Sequence, residues 1–150
     1  MERIRRERFG DFSVLHRQAS GEGQVALHFA HATGFNAETY RELLVELDSS
    51  LDVYAMDARG HGMSQAPADP KKLRSWAPYR ADLRAFVETM SRPTVLAGHS
   101  MGATVSMELA AARPDVVQGW TEWGEAREER LAVGRDPATE NSNQITRNPP

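Results

Sequence analysis

Ser100 sits in the run Gly98-His99-Ser100-Met101-Gly102, a G-x-S-x-G pattern. The apolar segment Thr94-Val95-Leu96-Ala97 leads into it, and Met101 to Ala112, rich in Ala, Met and Leu, leads away. That order predicts a buried strand, a sharp turn and a helix. At such a turn the central residue takes strained backbone geometry and its side chain stands above the sheet. The flanking residues must be glycine, because a Cβ at either place would collide with the neighbouring strand or helix. The Met101 amide, at the helix N-terminus, points into the same space, where an oxyanion could be held. The chemistry implied is attack of a serine hydroxyl on a carbonyl carbon. The plainer reading is a glycine-flanked turn with a solvent-facing serine.

The elements that would position this serine alternate along the chain. Asp11 to Arg17 reads as a strand, and Gln24 to Ala30 as a short, nearly all-apolar one. A turn-rich stretch, His31 to Glu38, follows. Tyr40, Leu43, Leu44 and Leu47 then recur at helical spacing and form one apolar stripe. Leu51 to Met56 is strand again, ending at Asp57, and a loop with Gly60, Gly62, Pro67 and Pro70 runs on to about Trp76. Pro78 suits a first helical turn, and the stripe Tyr79, Leu83, Phe86, Val87, Met90 follows it. Alternating strands and helices imply an α/β class with a parallel sheet and helices on both faces.

The chain has 150 residues, 40% hydrophobic and 26% charged, with net charge -3. That is the composition of one globular domain with no strong field for nucleic acid or an anionic membrane. It has no cysteine, which excludes disulfide scaffolds and thiolate chemistry and fits a reducing, cytoplasmic setting. No apolar run is long enough for a membrane span, and the charged start, Met1 to Arg8, is unlike a secretory signal.

Three blocks in order resemble the α/β-hydrolase fold superfamily, in its branch of small serine esterases, lipases and perhydrolases. His31-Ala32-Thr33-Gly34-Phe35-Asn36 lies where that family carries its oxyanion loop. Asp57-Ala58-Arg59-Gly60-His61-Gly62-Met63-Ser64 matches its D-x-R-G-x-G-x-S loop, and Gly98 to Gly102 its nucleophile elbow. The resemblance covers about residues 10 to 119. It implies that Ser100 is the nucleophile, that Met101 supplies one oxyanion-hole amide, and that Thr33 or Phe35 supplies the other. It implies loop-supporting roles for His31, Asp57, Arg59 and His61, with a substrate contact by His61 the rarer case. The substrate implied is a small ester-like molecule, and the chemistry calls for no metal and no organic cofactor.

The match stops short at the end. In this fold the general base is a histidine that follows the nucleophile, after the acid. The histidines here are His16, His28, His31, His61 and His99, and none follows Ser100. From Gly119 onward the apolar rhythm fades, so the chain divides into a partial α/β-hydrolase domain, residues 1–118, and a polar, disordered tail, residues 119–150. Two consequences are expected. Ser100 lacks an oriented base within this chain, so acyl-ester hydrolysis is impaired. The elbow strand, with no strand beyond it, has an open edge that invites self-association. Three readings compete: a truncated hydrolase, one half of a split hydrolase completed by a partner, and a non-catalytic interaction module.

Overall fold

In the computed structural model, residues 4–21, 25–122 and 132–133 are described. Two antiparallel strands open the chain: β1 (Arg5–Phe9) and β2 (Phe12–Arg17) pair with Phe9 opposite Phe12. β3 (Val25–Ala30), β4 (Leu51–Met56), β5 (Thr94–Gly98) and β6 (Val117–Glu122) make the parallel part of the sheet, and β7 (Ala132–Val133) closes it. The order is β1-β2-β4-β3-β5-β6-β7. β2 joins β4 antiparallel, β3 lies between β4 and β5, and β7 runs antiparallel to β6. The helices are α1 (Arg41–Glu46), entered through a 3-10 turn over Ala37–Tyr40, α2 (Ala77–Val87) and α3 (Met101–Ala112).

Alternation along the strands gives the sheet two buried faces. On one, Leu15, Phe29, Val53, Ala55 and Ala97 pack with Tyr40 and Leu44 of the α1 side. On the other, Leu96 and Val117 meet Tyr79 and Leu83 of α2 and Val105 and Leu109 of α3. Leu96 and Ala97 thus serve opposite faces from adjacent positions. The parallel sheet covered on both sides is the α/β arrangement expected.

Three features differ from the sequence reading. β1 was not expected, because Arg5-Arg6-Glu7-Arg8-Phe9 carries almost no apolar signal; it is an outer strand, and charges suit an edge. β6 is a strand where none was expected. Val-Gln-Gly-Trp-Thr-Glu lacks a continuous apolar run, yet β5 holds it in register from Thr94–Val117 to Gly98–Glu122. The boundary at residue 118 therefore falls inside a strand, and residues 119–122 belong to the sheet. As a result the elbow strand β5 is paired on both sides, by β3 and β6. The open edge expected on β5 is not present, and β6 on its other side pairs with β7, Gly119 with Val133 and Trp120 with Ala132. The rest of the polar tail, residues 123–131 and 134–150, lies outside the described residues.

Candidate active site

β5 ends at Gly98 and α3 begins at Met101, so two residues reverse the chain. Ser100 has φ 52° and ψ -115° and, among the described residues, is the one non-glycine with positive φ. Such a conformation costs on the order of 1–3 kcal/mol and persists only where the surroundings enforce it. The enforcement is visible on both sides. A Cβ on Gly98 would lie 2.4 Å from the Gly102 carbonyl carbon, and one on Gly102 would lie 2.0 Å from Ala30 O. The His99 amide donates to Ala30 O at 3.0 Å, which ties the turn to the end of β3. Ser100 is exposed, and Met101, the first helical residue, has an amide with no carbonyl to meet within its own helix. His99 points to the α1 side, where its Nδ1 lies 2.8 Å from Tyr40 Oη.

The loop after β3 and the loop after β4 converge beside this turn. Tyr40 Oη accepts from the Ala32 amide at 3.4 Å, and the Phe35 amide donates to Ala32 O at 3.1 Å. The Gly34 amide donates to His61 Nε2 at 3.2 Å. Among the described residues the Thr33 amide donates to no partner. Of the two amides expected as the second oxyanion donor, that of Phe35 is thus already engaged in a turn. The Phe35 side chain is 45% exposed.

The histidines of these loops act as acceptors. His31 Nδ1 lies 2.8 Å from Ala32 O, so it carries the proton, and Nε2 accepts from the Ala58 amide at 2.9 Å. His61 repeats the pattern in the opposite direction, with Nδ1 2.9 Å from Arg59 O and Nε2 receiving Gly34. Burial pushes the His31 imidazole below its ordinary pKa, against the raising effect of its bond to Ala32. His28, buried between α2 and β4, is pushed down to about 3 by burial and by His31. Its Nε2 accepts from the Met56 amide at 3.2 Å.

Asp57 is 1% exposed and collects three donors: the Ala37 amide at 2.8 Å, the Met63 amide at 2.9 Å, and Arg6 at 3.1 Å. A Cβ on Gly62 would strike this carboxylate at 2.4 Å, so the loop folds over it only with glycine there. Arg59 makes a two-pronged pair with Asp82 of α2, at 2.6 and 2.7 Å. His31 and His61 each bond both loops, Asp57 bonds the Ala37 and Met63 amides, and Arg59 ties its loop to α2. Sequence reasoning missed Arg6, Tyr40 and Asp82. Arg6 and Asp82 are charged residues of unremarkable segments, and Tyr40 reads as one more member of an apolar stripe; their partners lie far along the chain and leave no local signal.

Two hollows border the site. A cavity of about 30 Å³, roughly one water in size, is lined by His28, His31, Tyr79, Asp82 and Met101. A cleft of about 490 Å³ opens between Thr33, Phe35, His61, Leu73, Trp76 and Tyr79. His16 bonds carboxylates, and His28, His31 and His61 bond backbone groups away from Ser100. No described helix is long and apolar enough to cross a membrane.

Comparison with known proteins gives the same picture. Residues 21–126 match the family model Hydrolase_4, described as serine aminopeptidase, S33. A 2-(acetamidomethylene)succinate hydrolase of Mesorhizobium japonicum is 31% identical over 106 residues, 70% of this chain and 37% of that protein. An sn-1-specific diacylglycerol lipase of Mus musculus is 32% identical over 108 residues, 71% of this chain and 34% of that protein. Among solved structures, an epoxide hydrolase from Vigna radiata superposes with TM-score 0.67 at 23% identity, over 79% of this chain and 39% of that one. The thioesterase domain of the curacin biosynthetic pathway gives TM-score 0.62 at 25% identity, over 81% and 46%. The match spans less than half the length of each of these relatives. Fold and sheet order agree with the sequence match, and the chain belongs to the serine aminopeptidase S33 family of α/β-hydrolases.

Proposed function

We propose that Ser100 is the nucleophile for hydrolysis of a small ester-type acyl substrate. Its Oγ would bond to the substrate carbonyl carbon while the amides of Met101 and Thr33 receive the oxyanion. The carbonyl then re-forms, the alcohol leaves with the serine proton, and water releases the acid from acyl-Ser100. Thr33 is preferred to Phe35 because its amide is uncommitted. The observation that carries the reading is the enforced backbone of Ser100, positive in φ and boxed in by Gly98 and Gly102.

Within this 150-residue chain the reaction is impaired. Serine needs an oriented base, and no histidine follows Ser100 in the sequence. An oxyanion hole and binding contacts alone sustain a rate about 10³–10⁴-fold above water in a complete site, and an incomplete site falls below that. A fluorophosphonate probe with mass-spectrometric mapping tests both parts. We expect slow labelling at Ser100 that vanishes in S100A. Labelling as fast as that of a complete serine esterase would refute the impairment, and labelling undiminished in S100A would refute the nucleophile.

A second reading, one half of a split hydrolase or a non-catalytic interaction module, is favoured by the outer side of β6. There Gly119 and Trp120 are the residues that pair, with the two residues of β7. In the split case, a co-purifying chain with an acid and a histidine would raise the labelling rate of Ser100. An interaction module would bind its partner equally well as S100A. The same edge would support self-association, which sedimentation at two concentrations reads. A cytoplasmic location is consistent with the absence of cysteine, and fractionation tests it.

A further inference from the structure

The loops after β3 and β4 are joined by two histidines that reach in opposite directions. His31, at the end of β3, takes the Ala58 amide of the β4 loop; His61, in the β4 loop, takes the Gly34 amide of the β3 loop. Each ring donates its Nδ1 proton to a carbonyl of its own loop, Ala32 O and Arg59 O respectively. The two ring centroids lie 5.1 Å apart, with the planes tilted by 55°. They differ in surroundings. His31 is 2% exposed, whereas His61 lines the open cleft together with Thr33 and Gly34.

Gly34 has φ +79°, so the backbone right after Thr33 sits in a region that only glycine takes without strain. Among the described residues the Gly34 N–H has one partner, His61 Nε2. That N–H belongs to the same peptide unit as the Thr33 carbonyl, and a peptide unit moves as one plane. Fixing it limits the rotation of Thr33 and so the direction of the Thr33 amide.

We infer that His61 is a positioning residue: its neutral, Nδ1-protonated imidazole holds the Thr33–Gly34 peptide and thereby aims the Thr33 amide. The consequence for catalysis rests on the reading of Thr33 as an oxyanion donor. Protonation disables the device, because an imidazolium has a proton on Nε2 and cannot accept from Gly34. The groups facing His61 are His31 just after β3, Tyr79 of α2 with ring centroids 6.3 Å away, Asp69, which lines the same cleft, and the Arg59 carbonyl of its own loop.

The test is nuclear magnetic resonance on the ¹⁵N-labelled 150-residue chain, beside fluorophosphonate labelling. In the wild type, ring correlations should show His61 as the Nδ1–H tautomer, and the Gly34 and Thr33 amide signals should move with the midpoint of His61 protonation. H61F keeps the ring packing and removes the acceptor; amide exchange at Gly34 should rise about tenfold. H61Q restores an acceptor near the Nε2 position and should return exchange close to wild type. Labelling of Ser100 should fall in H61F, recover in H61Q, and fall in acid with the midpoint of His61. An Nε2–H tautomer, or Gly34 and Thr33 signals indifferent to His61 protonation, would overturn the inference; the wild-type titration decides this even if H61F does not fold. Amide signals that follow His61 while labelling of Ser100 does not change would support the positioning and remove Thr33 from the oxyanion hole instead.

Discussion

The two ends of the parallel strands are held together in different ways. At the carboxyl ends, beside Ser100, backbone amides meet buried acceptors, Ala58 to His31, Met56 to His28, Ala37 and Met63 to Asp57, in addition to the side-chain pairs Arg6–Asp57 and Arg59–Asp82. At the amino ends, side chain meets side chain. His16 lies between Glu7 at 3.0 Å and Asp52 at 2.9 Å, Asp52 also takes Arg92 at 2.9 Å, and Arg113 bridges Glu88 and Asp115. A side-chain ion pair tolerates rotation of both partners. A backbone amide held by a buried acceptor fixes the chain path itself. The end that carries Ser100 and the two loops adds bonds of the second kind, and there backbone approaches backbone too closely for any Cβ.

The sharpest way to break this contrast is G102A. The new Cβ would lie 2.0 Å from Ala30 O, a backbone atom that cannot turn aside. Either β3 and α3 separate or the turn at Ser100 rearranges, and we expect a loss of about 3 kcal/mol or more in urea unfolding. Labelling of Ser100 should disappear as well. A fully stable G102A would mean that the close approach is not required.

Next in size is D57N. The amide group has one oxygen where the carboxylate has two, and its NH₂ faces a donor, either the Ala37 or the Met63 amide or Arg6. Leaving buried donors unpaired and removing the partner of Arg6 should cost about 2–4 kcal/mol. Equilibrium unfolding measures it. A cost no larger than that of a surface substitution would place Asp57 with the ion pairs of the other end.

How far these matters were legible in the sequence differs in the same way. The tight strand-to-helix turn over Gly98 to Gly102 was legible because it is local: five consecutive residues between a strand pattern and a helix pattern suffice. His31, Asp57, Arg59 and His61 could be placed in bracing loops through the family resemblance, but not their partners. Arg6 reaches Asp57 across 51 positions and Tyr40 reaches His99 across 59, and no spacing rule extends so far. The strands that were missed fail for another reason. β1 buries little, and β6 interrupts its apolar residues with Gln118, Gly119 and Thr121. Both take their strand character from a neighbour, β2 in one case and β5 in the other.

Acid should act on the amide-bound end through its histidines. His28 titrates at about 3 in the folded chain and His31 is lowered too, whereas an unfolded histidine titrates near 6.5. The unfolded chain therefore binds more protons between these values. Stability is complete above about pH 6.5 and declines as pH falls toward 3, with His28 contributing about 1.4 kcal/mol per pH unit. H28Q, which can still accept from Met56, should lose about one proton from the slope between pH 6 and pH 4. Asp52 adds to the decline at lower pH: burial raises its carboxyl, but bonds from His16 and Tyr54 outweigh this and lower it on balance, so protonation removes their contribution. An H28Q slope equal to wild type would show that some other group carries the acid sensitivity.

The smallest effect is expected at Arg113, although it pairs with two carboxylates. Bonds to Asp115 and Glu88 hold its pKa above the ordinary arginine value, and Arg84 also holds Glu88. These charges stand in water, which already solvates them, and salt screens what attraction is left. When Arg113 is replaced by Ala, Glu88 keeps Arg84 and Asp115 returns to solvent, so no buried group is orphaned. We expect R113A to leave the urea midpoint unmoved in 0.5 M salt and nearly so without it. A midpoint shift as large as that of D57N would show that burial is not what separates the two ends, and that charge pairing counts for as much as amide pairing in this sheet.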